Sequence, residues 1–333
     1  MPQKLSKTRK QQIKARSEKT ITPTPPRQPT LIIAEYNKRL KKEINRGFNL
    51  VKKELFPLLK DDIERLDVEA RADILDDSDK INTALDLILE QFFGSKVTVG
   101  RPNLTKYTFN VAKKLVEPMQ GKVNDFNKNQ FTRQFKQISG VDPLQFDPGL
   151  NEILKVSGQQ NVEKIVTQSS NYFDQIREQT NLALRKGTSA KELTDDIIKL
   201  TGTTENRARL IATDQIQKLN ADLEAGRQQN NGITRYIWHD RNNARVRPDH
   251  ADLDGAIFDW NFPPVTVTTG KRAGERNHPG TDINCKCSAS PVIADITGIF
   301  DEAILAAEKK TAKLISEGRV PGYQLPKRKN KAA

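Results

Sequence analysis

Histidine and cysteine are scarce in this chain of 333 residues, with three of the first and two of the second. So few cysteines exclude a disulfide scaffold and point to synthesis in a reducing cytoplasm. Hydrophobic residues make up 35% of the chain and aromatics 6%, with a mean hydropathy of −0.68, so thin cores and an elongated body are expected. No apolar run is long enough to cross a bilayer, which gives no reason to expect a membrane partner. The basic, polar N-terminus has no apolar core of the kind a signal peptide needs. The first half also lacks His, Cys and any Gly-rich phosphate loop, so neither a nucleotide site nor a small-molecule substrate is indicated there.

Charge is what the chain has in excess, and its location is informative. The formal net charge is +13. From Met1 to Thr30, eight cations (Lys4, Lys7, Arg9, Lys10, Lys14, Arg16, Lys19 and Arg27) face only Glu18. From Arg319 to Ala333, Arg319, Lys327, Arg328, Lys329 and Lys331 face no acid. Twelve of the thirteen excess charges therefore lie on two terminal arms, and the body between them is close to neutral. Both arms are too poor in apolar residues to fold alone. The proline-rich stretch Thr22–Pro29 is expected to act as a stiff spacer holding the first arm off the body. Arms of this composition suit a polyanion, with double-stranded DNA as the expected partner; simple solubility tails are the alternative.

The body reads as helical for most of its length. Tyr36, Leu40, Ile44, Phe48, Val51 and Leu55 recur at helical spacing from Leu31 to about Leu59, with Pro57 expected to end or kink the helix. A second helix is expected over Asp77–Phe93, ending at Gly94. A third runs from Asn103 to Ile138, with an interruption near Pro118 and Gly121, and its aromatics are read as core. Gly140–Pro143 forms a turn and a domain boundary. A long helix follows over Asn151–Arg185. Then Ser189–Glu192 caps a helix to Leu200, and a separate one starts at Thr204. A last helix is expected over Ile299–Ile315.

All three histidines and both cysteines fall between Gly232 and Pro291. Ile233–His239 alternates like a half-buried strand, Ala256–Trp260 offers a second strand and Asn284–Pro291 a third. Residues two apart in a strand share a face, so Cys285 and Cys287 should lie side by side. That suits two ligands to one ion better than a disulfide, which would close a small strained ring. The chemistry-bearing reading is a structural zinc site of His250, His278, Cys285 and Cys287, with all four positions filled. The plainer reading is a buried cysteine pair beside a hydrogen-bonded histidine. In the loop between the first two strands, Arg241, Arg245 and Arg247 are outnumbered by Asp240, Asp249, Asp252 and Asp254, so internal Arg–Asp pairing is expected rather than a nucleic-acid face.

Several strings here resemble the phage Mu F-like head morphogenesis family. They are Gly232-Ile-x-x-Tyr-x-Trp238, then Arg245-Val-Arg247-x-x-His250-x-x-Leu253-x-Gly255-x-x-Phe258, then His278-Pro-Gly280, Asp282 and Asn284-Cys-Lys-Cys287-x-Ala289-x-Pro291. The resemblance runs upstream through the helices to about Asp142. Asn243 stands where the family tends to carry Asp, and His239 is no part of the pattern, so it is left out of the expected site. The resemblance implies a minor capsid protein of a tailed phage or prophage. Such a protein is made in the host cytoplasm, lies inside the head near the portal vertex, and has the portal protein, other head proteins and packaged DNA as partners during assembly, packaging or ejection. A structural role rather than an enzyme is expected, because the first half offers no His, Cys or phosphate loop and a metal with four protein ligands has no open position. Two other readings remain: a metal-dependent hydrolase, nuclease or toxin-like enzyme using His250 with Asp240 or Asp254, and a non-specific nucleic-acid-binding protein. The expected fold is α+β, divided into a basic arm (1–30), a helical domain (31–140), a head-morphogenesis domain of helices and a small sheet (141–296), a C-terminal helix (297–318) and a disordered basic tail (319–333).

Overall fold

The computed structural model describes residues 7–8, 11, 25–58, 74–93, 106–143, 149–186, 188, 190–293 and 302–326. Helices α1 (Thr30–Glu54), α2 (Ile74–Phe93), α3 (Lys106–Ser139), α4 (Leu150–Lys186) and α5 (Ala190–Asn230) come first. Strand β1 (Arg235–His239), the short helix α6 (Pro248–Leu253), β2 (Ile257–Asp259), β3 (Ser288–Pro291) and helix α7 (Glu302–Ser316) follow. The fold is α+β, with a small sheet in the C-terminal part, as the patterning indicated.

Two compact units are assembled from separate stretches of chain. One comprises 30–120 and 156–215; the other comprises 1–29, 121–155 and 216–333. The first is helical in its described residues, and its core joins Val51 and Leu55, Ile81 to Phe92, Tyr172 to Ala183, and Leu193 and Ile197. Gly47 allows close packing in it, because a Cβ there would come 3.0 Å from both Phe173 and Phe92. Tyr36 donates from its hydroxyl to Asn161 at 2.9 Å, so the buried phenol is satisfied.

Three helix expectations need correction or refinement. α1 ends at Glu54, just before Pro57. α3 is not interrupted at Pro118 and Gly121; it is one helix of 34 residues with Pro118 inside it. Pro118 lies on the exposed side, so the carbonyl it leaves without a helical partner can be hydrated, while Val116, Met119 and Val123 on the other side are buried. α5 is likewise one helix of 41 residues rather than two. Thr204, read as a new start, instead bonds back along the helix to the Leu200 carbonyl (2.9 Å), as do its neighbours Thr201 to Ile197 (2.8 Å) and Thr203 to Lys199 (3.1 Å).

In the second unit, the antiparallel sheet has the order β2-β1-β3. Tyr236 pairs with Phe258 and Pro291, and Trp238 with Ala289. β1 is not half-buried as its alternation suggested, since Arg235 to Trp238 are all buried. One face packs Tyr236, Trp238 and Phe258 with Leu253, Cys285 and Cys287. α7 covers the other through Ile304 and Ala307 against Ile237, Ile257 and Val292. The polar residues on that side find partners on α7. Arg235 Nη1 donates to Glu308 at 3.0 Å, and Thr311 Oγ1 both accepts from the Ile257 amide and donates to the Ile257 carbonyl at 2.8 Å.

A buried polar network ties α3 and α5 to the sheet. Asn127 donates to Glu224 at 3.1 Å, and Arg227 donates to Asn127 and Asn124. Gln228 donates to Glu224 (2.9 Å) and to the Ala289 carbonyl (3.2 Å), and accepts from Trp260 Nε1 (3.2 Å). Full burial raises the Glu224 pKa to about 7.

The termini also differ from expectation where they are described. Pro26 and Pro29 are buried, the Arg27 amide donates to Gln130 (2.7 Å), and Gln28 Nε2 donates to the Lys286 carbonyl (3.2 Å). The end of the proline stretch is thus docked, because proline rings supply apolar area at little entropic cost. After α7, Val320 and Tyr323 are buried, and Arg319 donates to the Val265 carbonyl at 3.0 Å and pairs with Asp252 at 3.6 Å. Arg319 therefore belongs to the folded unit rather than to a free tail.

Candidate functional site

The strand–turn–helix after β1 places the first site residue. Asp240 accepts the Asn242 amide at 2.6 Å and Asn243 accepts the Arg245 amide at 3.0 Å, two side-chain turns that reverse the chain. Asn243 serves this turn as an Asp would. Pro248 then opens α6, on which His250 and Leu253, three apart, face inward. Gly255, at φ +71°, returns the chain so that its amide bonds to the Trp238 carbonyl at 2.8 Å. His250 is held edge-on to Trp238 at 5.6 Å.

The second part comes from the segment before β3. Cys285 and Cys287 lie outside the strand, preceded by Asn284 at φ +51°, yet their sulfurs do lie together. His250 Nδ1 is 3.5 Å from each Sγ, and the three ligand atoms lie within 4.8 Å of one another. All three residues are buried at 5% exposure or less. Cys285 Sγ also accepts the amides of Gly280 and Cys287, each at 3.4 Å. The bond from the Cys287 thiol, together with His250, holds Cys285 below the ordinary thiol pKa despite its burial. The same bond and burial push Cys287 up.

Asp282 is the residue the site reading missed, though it stood in the quoted motif. Its Oδ2 is 3.4 Å from His250 Nε2. Arg247 donates to Oδ2 at 2.7 Å and Arg272 to Oδ1 at 2.6 Å, and the Ile283 amide adds a bond at 2.7 Å. Burial would raise this carboxyl, but the Arg272 bond, the Ile283 amide and Arg247 hold it below the ordinary carboxylate pKa. The signal available in the sequence was the H-P-G-x-D-x-N-C-K-C order itself, which keeps Asp282 three residues before Cys285. Arg247 does not pair within its own loop as expected; its carboxylate lies 35 positions away. Asp249 instead accepts from Thr268, and Asp254 from the Asp240 amide.

His278 does not join the cluster. Its Nδ1 is 2.9 Å from the Tyr236 hydroxyl, and its ring packs against Trp260 at 5.0 Å and Tyr236 at 5.6 Å. Burial lowers its pKa to about 4, so it is neutral at pH 7 and can accept the phenolic proton. Its place is in the aromatic core beneath the site. His239 ends β1 and is not part of the cluster either. Of the basic residues assigned to nucleic acid, Lys7 is described and exposed. Lys4, Arg9, Lys10, Lys14, Arg16, Lys19, Lys327, Arg328, Lys329 and Lys331 lie outside the described residues.

A family model described as phage Mu protein F like protein matches residues 174–290. This segment is similar to the phage Mu F-like family. It holds the whole cluster, Asp282 and both arginines. The Mu F-like match starts within α4, downstream of the Asp142 at which the resemblance was placed. A protein of Haemophilus influenzae, described as uncharacterized, is 31% identical over 194 residues. That alignment takes in 57% of this chain, and the chain spans 41% of that relative's length. No solved structure matches the chain.

Proposed function

We propose that the protein is a minor head protein of a tailed phage or prophage, acting inside the head in assembly, packaging or ejection. The observation carrying this reading is the phage Mu F-like match over residues 174–290. The finer placement has the portal protein and other head proteins as its partners and packaged DNA as its ligand through the basic arms. It rests on that family's role together with the charge at the chain ends. The role is structural rather than enzymatic. In support, the His/Cys cluster is buried, and the cavity beside Cys287, with Gln217, Asn220 and Glu224 in its wall, measures about 10 Å³, room for about one water and not for a substrate.

Deleting the gene in the parent phage or prophage tests this reading. Heads or virions of reduced infectivity are expected, and the protein should be found by mass spectrometry in purified wild-type particles and co-purify with the portal protein. Particles of full infectivity from the deletion strain, with none of the protein in wild-type heads, would overturn it.

A further inference from the structure

We propose that His250, Cys285 and Cys287 bind one zinc ion as a site with three protein ligands, the fourth position being taken by water. Asp282 acts as the positioning residue behind His250. This inference is independent of the head-protein reading, because it stands on the side chains alone.

Geometry is the first support. With Zn–S near 2.3 Å and Zn–N near 2.0–2.1 Å, a tetrahedral angle sets the N···S edge at roughly 3.6 Å. The His250 Nδ1 to Sγ separations are 3.5 and 3.5 Å, the edges of such a tetrahedron. Two neutral thiols packed around a histidine without an ion need satisfy no such equality. Charge is the second support. Two thiolates balance a divalent ion, so the core would be neutral, and the remaining buried charge on Asp282 is already met by Arg247 and Arg272.

The surroundings supply what a metal site needs beyond its ligands. His250 binds through Nδ1 while Nε2 faces the Asp282 carboxylate, the outer partner that fixes the orientation of a ligating ring. Nε2 is buried and has no hydrogen-bond partner of good geometry, so it stands 3.4 Å from Asp282 for a small rotation to close. Amides from Gly280 and Cys287 point at Cys285 Sγ and stabilise it as a thiolate. Soft sulfur with imidazole selects zinc over magnesium or calcium. Among the described residues, no fourth His, Cys, Asp or Glu joins the cluster. The four-ligand site expected from sequence thus loses His278, and an exchangeable position takes its place.

The full chain, purified without chelators and reconstituted with zinc under reducing conditions, should hold one zinc per chain by elemental analysis. Replacement with Co(II) should give the visible bands of a tetrahedral ion and a charge-transfer band of two thiolates, read on the wild type alone. Cys285→Ser and His250→Asn should lose the metal. His278→Asn should keep it in full. Asp282→Asn should bind zinc with about 10–100-fold weaker affinity yet reach one per chain at saturation. Wild-type protein that takes up no zinc, a Co(II) spectrum without thiolate bands, or loss of zinc from a folded His278→Asn protein would each overturn the proposal.

Discussion

Gly280 shows how one residue serves fold and site together. Its φ is +86°, and an added Cβ would sit 2.7 Å from Ala221 Cβ and 3.4 Å from the Cys287 carbonyl. The left-handed conformation alone costs a side chain on the order of 1–2 kcal/mol, and the Ala221 methyl has no rotamer in which to retreat. Gly280→Ala should therefore lower unfolding stability by at least that amount in urea titration, and an unchanged midpoint would show that the turn is not held as described. His278, two positions earlier, sets a pH dependence. Its folded pKa, about 4, lies below the unfolded value of 6.5, so the unfolded chain takes up the proton first as pH falls. Stability from this group is complete above pH 6.5 and is lost on going down towards pH 4, by about 2 kcal/mol between pH 7 and 5. His278→Asn keeps an acceptor for Tyr236, and the stability gap between it and wild type should shift in the variant's favour by that amount over this range. Glu224 works the other way: its folded value near 7 lies above the unfolded value of 4.5, so its contribution is greatest below pH 4.5 and declines as pH rises to 7. An NMR titration placing His278 near pH 6.5 would remove the argument.

At the scale of elements, the long helices show local signals being outvoted. Leu200 and Thr204 read as an end and a start, with Gly202 between them, yet α5 runs through because buried residues continue on one face, from Leu193 and Ile197 through Thr201 and Thr204 to Ala208 and Ala212. Helical burial over many turns outweighs one glycine, whose penalty against alanine is about 1 kcal/mol. Gly202 is exposed and has nothing within 4 Å of a would-be Cβ. Gly202→Ala should consequently stabilise the protein by about 0.5–1 kcal/mol in denaturant unfolding. If the chain broke there instead, alanine would give no gain. The sheet illustrates the same lesson from the other side. Alternation in Ile233–His239 predicted one wet face, whereas α7, over 60 positions downstream, arrives with Glu308 and Thr311 to satisfy Arg235 and the edge of β2.

For the whole molecule, the excess positive charge lies at the two chain ends, with borders narrower than composition alone set. Arg27 and Arg319 belong to docked segments, so the excess is concentrated in residues 1–24, where seven cations face Glu18, and in 327–333, with four cations and no acid. These two stretches still hold ten of the thirteen net charges. DNA binding by them should be independent of sequence, and if about six to ten phosphates are engaged it should weaken by roughly three to five decades between 50 and 200 mM salt. A chain trimmed to 25–326, which keeps Pro26, Pro29, Val320 and Tyr323 in place, should retain its circular dichroism and lose most of that affinity. Equal binding with an equal salt slope would place the DNA surface on the folded body.

What the sequence determined by itself was periodicity, composition and order: the helices, the three strands, the side-by-side cysteines and the location of the charge. These are legible because each follows from residues near one another in the chain. Only the tertiary structure decided which histidine meets the sulfurs. His250 and His278 are equally plausible ligands by spacing, but α6 turns the first toward Cys285 and Cys287 while Tyr236 and Trp260 take the second into the aromatic core. Nor could spacing show that Asp282, between Arg247 and Arg272, stands behind His250. Those choices depend on packing between residues tens of positions apart, where the sum of buried area and satisfied polar groups, rather than any local pattern, sets the lowest free energy.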